Sequence, residues 1–120
     1  MQKKTPAMQQ YYDFKQKYDD CILFFRLWDF YEVFGQDAHI CHKILDIVLT
    51  SKNKNTDNPI PMAGVPYHSA DKYIAKLVRT WYKIAIAEQI WPVVPWKVVE
   101  RQVNNVVTPW TNVDENQTDY

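Results

Sequence analysis

Phe30 and Glu32 stand two residues apart in the stretch Phe24-Phe25-Arg26-Leu27-Trp28-Asp29-Phe30-Tyr31-Glu32-Val33-Phe34. On an extended strand, such a pair projects from one face. A flat aromatic beside a carboxylate can wedge into a base stack and accept a hydrogen bond from the base it displaces. Apolar wedges entering from the minor groove kink DNA in this way, at an unstacking cost of a few kcal/mol per step. Alternation by itself supports a plainer reading, with Phe30 in a core and Glu32 solvated, because aromatics are common in strands.

The other chemistry-bearing residues form weaker patterns. Asp37, His39, Cys41 and His42 include metal-ligand types. On a helix, however, His39 and Cys41 do not share a face, and His39 with His42 alone falls short of a structural zinc set. Ser69 directly follows His68, adjacent side chains diverge, and no nucleophile elbow surrounds the serine. No Gly-x-x-x-x-Gly-Lys-Ser/Thr loop is present to cradle a nucleotide phosphate. A stand-alone enzyme is therefore the weakest reading. Lys52 and Lys54, in a polar loop, are candidates for phosphate contact. Arg26 lies within an apolar strand and is expected to find a structural ion-pair partner.

Composition bounds the rest. The chain has 120 residues, of which 47% are hydrophobic, enough for one domain with a single core. Fourteen basic and fourteen acidic residues cancel. This zero balance argues against a stand-alone DNA binder, which draws its affinity from many phosphate contacts. It suits a specificity module whose parent supplies the positive charge elsewhere. Cys21 and Cys41 are too few for a disulfide framework and fit a reducing cytoplasm. No apolar run approaches the roughly 20 residues that span a membrane, and the start lacks a signal-peptide pattern. The expected setting is cytoplasmic, with no membrane partner.

The elements that would position Phe30 and Glu32 follow from local pattern. Thr5-Pro6 reads as a helix start, with Met8, Tyr11 and Tyr12 on its apolar side. Residues 21–27 form a buried strand, and residues 29–34 alternate as the next, joined by a tight turn at Leu27-Trp28-Asp29. Ala38, Cys41, Leu45 and Val48 recur at helical spacing, predicting a helix over 36–45 that leads into a strand over 46–50. Residues 51–58 read as a loop and 59–66 as a short extended segment. Ala70, Tyr73, Ile74, Leu77 and Val78 define an amphipathic helix. Residues 82–88 and 98–107 read as strands around a loop at 91–96. The expected class is α+β: one small domain with a mixed sheet flanked by about three helices.

Several segments, in order and spacing, resemble the N-terminal mismatch-recognition domain, domain I, of the MutS DNA mismatch repair proteins. They are Thr5-Pro6-Ala7-Met8-Gln9-Gln10-Tyr11, the Phe24 to Glu32 stretch, and Leu45-Asp46-Ile47-Val48-Leu49-Thr50. Pro59-Ile60-Pro61-Met62-Ala63-Gly64-Val65-Pro66-Tyr67-His68, Ile84-Ala85-Ile86-Ala87-Glu88-Gln89 and Val107-Thr108-Pro109 complete the set. The resemblance runs from about Thr5 to Thr111, so the expected domain is residues 1–111, with 112–120 as the start of a linker. It implies that Phe30 stacks on a mispaired base from the minor groove while Glu32 hydrogen-bonds to it. Asp29, Lys52, Lys54, Tyr67 and His68 are implied as supporting or phosphate contacts. The implied partner is double-stranded DNA carrying mismatches or small loops, and the implied parent is a homodimer. This fragment is expected to be non-enzymatic and without a cofactor; ATP and Mg²⁺ are expected only in the parent's C-terminal ATPase. The alternative is a MutS-like structural or partner-interaction domain that lacks mismatch recognition.

The chain departs from the family pattern in one consistent way. Trp28, Trp81, Trp91, Trp96 and Trp110 all stand where the family carries glycine. Average usage of about 7% predicts roughly eight glycines in a chain of this length, and there are 2. A UGA codon read as glycine in the organism, and as tryptophan in this sequence, would account for both observations. Such positions are expected at turns and element ends, exposed, several with positive φ.

Overall fold

A computed structural model describes residues 4–110 of the chain. Helix α1 spans Pro6–Lys17, and the Thr5 hydroxyl accepts from the Met8 N–H at 3.2 Å, as the Thr-Pro start predicts. Strands β1 (Ile22–Leu27) and β2 (Phe30–Phe34) follow, then α2 (Gln36–Leu45), β3 (Thr50–Lys52) and β4 (Ile60–Pro66). A single 3₁₀ turn at Tyr67–Ser69 leads into α3 (Ala70–Arg79), followed by β5 (Ile84–Gln89) and β6 (Arg101–Val107). Among the described residues, these three helices and six strands, with a helical start at Pro109-Trp110, make the expected α+β domain. The proposed linker at 112–120 lies outside the described residues.

The sheet runs β3-β4-β2-β1-β5-β6, with β1 and β5 parallel and every other neighbouring pair antiparallel. Helices α2 and α3 cover one face, where Phe24, Tyr31, Val33, Cys41, Leu77 and Ile84 meet in the larger core. Helix α1 covers the other, packing Met8 and Tyr11 against Leu23, Phe25 and Phe34. Strand β1 is thus buried on both sides, which explains why its sequence is apolar without alternation. Asp37 pins the layers together: its carboxylate accepts from Lys15 Nζ at 2.9 Å and from the Leu23 N–H at 3.0 Å.

Two elements differ from expectation. Residues 46–49 form no strand; Asp46 takes a left-handed conformation (φ +58°) at the end of α2. Ile47 and Leu49 still point into the core while Val48 is 80% exposed, so the segment imitates strand alternation without a ladder partner. Pairing begins only at Thr50 and carries Lys52, expected in a loop, into β3. Segment 59–66 proves to be an interior strand, β4 pairing with both β2 and β3 despite Pro61 and Pro66.

All five tryptophans are exposed, at 54% for Trp28, 75% for Trp81, 59% for Trp91, 79% for Trp96 and 57% for Trp110. Two of them, Trp28 and Trp81, have positive φ.

Candidate nucleic-acid interface

The β1–β2 hairpin closes through a two-residue loop, Trp28-Asp29, between the paired residues Leu27 and Phe30. Phe30 opens β2 and is 43% exposed, whereas Tyr31 and Val33 turn into the α2/α3 core and Phe34 into the α1 core. Phe30 and Glu32 therefore share the α1 side of the sheet, as their spacing predicts.

Glu32 lies between Phe25 on β1 and Gly64 on β4. Its carboxylate folds over Gly64, where a Cβ would come within 2.5 Å of Glu32 Oε2. Glycine at position 64 leaves the space that the carboxylate occupies. Burial pushes the Glu32 carboxyl up to about 7, with the nearby Lys52 charge pulling in the opposite direction. Among the described residues, no hydrogen bond reaches this carboxylate. It is a half-buried acceptor free to take an external partner, and near neutral pH it is protonated in part.

A second cluster holds the hairpin turn. Arg26 lays its guanidinium 3.8 Å over the Tyr67 ring, pairs with Glu88 at 2.9 Å, and donates through Nε to the Trp28 carbonyl. The Tyr31 hydroxyl donates to the other oxygen of Glu88. The Tyr67 N–H donates to the Asp29 carbonyl at 2.8 Å. Arg26 has the ion-pair partner its strand position requires, and the pair also braces the loop in front of Phe30. Behind the hairpin, buried Arg101 stacks 4.5 Å over Phe25 and donates to the Arg26 carbonyl at 2.7 Å.

The site residues named from sequence are brought together unequally. Phe30, Glu32, Asp29 and Tyr67 gather at one end of the hairpin, and Lys52 lies close enough to act on Glu32 electrostatically. His68 is exposed with its ring edge-on to Tyr67, 5.9 Å between centroids. Lys54 is exposed in the β3–β4 turn. Sequence reasoning missed Gly64 and Arg101. A lone glycine within an apolar strand was the available signal for Gly64; Arg101 carried none. Of the metal-type residues, Cys41 is core and burial pushes its thiol up to about 12, away from the thiolate a metal would need. His42 Nδ1 meets the Ile47 carbonyl at 2.7 Å.

The fold and hairpin define a small α+β module that presents an aromatic and a carboxylate side by side from one strand. Residues 5–116 match the family model described as MutS domain I, and the chain belongs to that family. It is 54% identical over 120 residues to a protein named DNA mismatch repair protein MutS from Streptococcus pneumoniae serotype 19F. It is equally similar to one named DNA mismatch repair protein HexA from Streptococcus pneumoniae serotype 4. In each case the match covers 99% of this chain and 14% of the relative. Among the described residues, no helix is long and apolar enough to cross a membrane.

Proposed function

We propose that this domain is the mismatch-sensing module of a DNA mismatch repair protein, and that Phe30 inserts into duplex DNA at a mispair or small loop. The observation that carries this reading is the exposed Phe30 ring on the same strand face as half-buried Glu32, whose carboxylate has no hydrogen-bond partner among the described residues. Glu32 hydrogen-bonds the displaced base. A mispair is weakly stacked and kinks more cheaply than a paired step, so discrimination comes mostly from deformability. Arg26 and Tyr67 hold the turn so that Phe30 enters from a fixed position.

The names of the relatives support placing the parent in mismatch repair. The same reading gives the parent a homodimeric state and an ATP- and Mg²⁺-dependent ATPase in its C-terminal part. A fluorescent base analogue placed at a mismatch tests the wedge. Binding by the full-length parent is expected to change its emission as Phe30 stacks against it, and Phe30→Ala is expected to bind without that change. The same emission change in Phe30→Ala would leave the stacking role to another residue.

A further inference from the structure

We infer that Trp28, Trp81, Trp91, Trp96 and Trp110 are glycines in the protein its organism makes, each encoded by a UGA codon that the organism reads as glycine. Four non-glycine residues among those described have positive φ: Trp28, Asp46, Asn53 and Trp81. Aspartate and asparagine visit this region routinely because their short polar side chains bond locally. The other two residues are both tryptophan, for which this backbone is a strain.

Each of these two positions is the glycine position of a defined motif. Helix α3 ends with the Tyr82 N–H donating to the Leu77 carbonyl at 3.1 Å and the Trp81 N–H to the Val78 carbonyl at 2.9 Å. That pair of bonds is a Schellman cap, and Trp81, at φ +70°, fills the residue after the cap, usually glycine. In the β1–β2 hairpin, Trp28 has φ +55° and Asp29 is absent from the positive-φ residues. Positive φ at only the first of two loop residues is the pattern of a type II′ turn, which takes glycine there.

The remaining three fit the same account. Trp91 and Trp96 lie in the irregular segment between β5 and β6, Trp110 stands at the helical start Pro109-Trp110 that follows β6, and all three are more than half exposed. Tryptophan normally contributes to cores through its large apolar area, yet none of the five enters either core cluster. One codon with two readings explains five such sites together. The consequence falls on the hairpin: Trp28 and Trp91 now lie edge to face, 6.4 Å between centroids. With glycine at both positions, that indole pair beside the Phe30 turn disappears. Arg26 keeps its bond to residue 28, because the acceptor is a backbone carbonyl.

Two measurements test this independently of any DNA-binding role. Sequencing the gene is expected to show UGA at all five codons; UGG at any of them overturns the inference. Peptide mass spectrometry of the full-length protein from its native source is expected to give glycine masses at all five positions. Tryptophan at any one of them overturns it.

Discussion

Gly64 and Glu32 face each other across the β4–β2 ladder, so closely that a methyl group on Gly64 would lie 2.5 Å from one carboxylate oxygen of Glu32 and 2.6 Å from the other. The obstructing atoms are the far end of a flexible side chain, so Gly64→Ala is expected to displace the carboxylate rather than unfold the domain. In the full-length parent, this variant is expected to blur mismatch discrimination, with an unchanged circular dichroism spectrum. Native discrimination in Gly64→Ala would show that the position of the carboxylate does not matter.

The raised Glu32 carboxyl sets a pH dependence. Between its ordinary value of 4.5 and its folded value of about 7, the folded domain keeps a proton that the unfolded chain has released. Stability therefore falls as pH rises through this window and levels off above it. Glu32→Gln stays neutral throughout and is expected to flatten this part of the profile in urea titrations. Identical pH profiles for the two proteins would show that the carboxyl is not held up.

Arg26 braces the turn from four sides at once: Glu88, Tyr67, Tyr31 and the Trp28 carbonyl. Arg26→Ala leaves Glu88 without its cation and is expected to cost about 1–3 kcal/mol in urea denaturation. Arg26→Lys keeps the charge but loses the planar stack on Tyr67, and should recover only part of that loss. Full recovery by lysine would reduce the stack to an incidental contact.

Trp81→Gly relieves a left-handed residue at a helix cap without uncovering a core. It is expected to stabilise the chain by about 1 kcal/mol, because a non-glycine residue pays roughly 1–2 kcal/mol in that conformation. Thermal unfolding measures this, with Asp46→Gly as the control: the same region of φ, but in a residue type that tolerates it. A loss of stability in Trp81→Gly would mean that the indole contributes packing.

The chain carries fourteen basic and fourteen acidic residues, so on its own it should hold duplex DNA weakly. Submicromolar binding by this chain at physiological salt would contradict that.

The parts of the site that were legible in the sequence are those set by local period. The two-residue strand repeat placed Phe30 and Glu32 on one face, and the helical repeat from Ala70 to Val78 located α3. The parts that were not legible depend on register between distant segments. Gly64 meets Glu32 only because β4 returns beside β2, and Tyr67 meets Arg26 only because the same strand ends at the hairpin turn. Residues 46–49 were misread because Ile47 and Leu49 point inward and Val48 outward, a strand pattern that the left-handed Asp46 leaves without a ladder. The tryptophans were legible from the resemblance, in which the family carries glycine at all five positions, with composition and turn context in support.

The central claim is that Phe30 reads the mispair by stacking. Its most direct test is the ratio of mismatch to homoduplex affinity for the full-length parent and its Phe30→Ala variant, measured at one salt concentration. Base–aromatic stacking is worth about 1–3 kcal/mol, so the ratio is expected to fall by about 5- to 150-fold, with homoduplex affinity little changed. A variant that keeps the native ratio would contradict the account and leave Phe30 as an exposed residue of the fold.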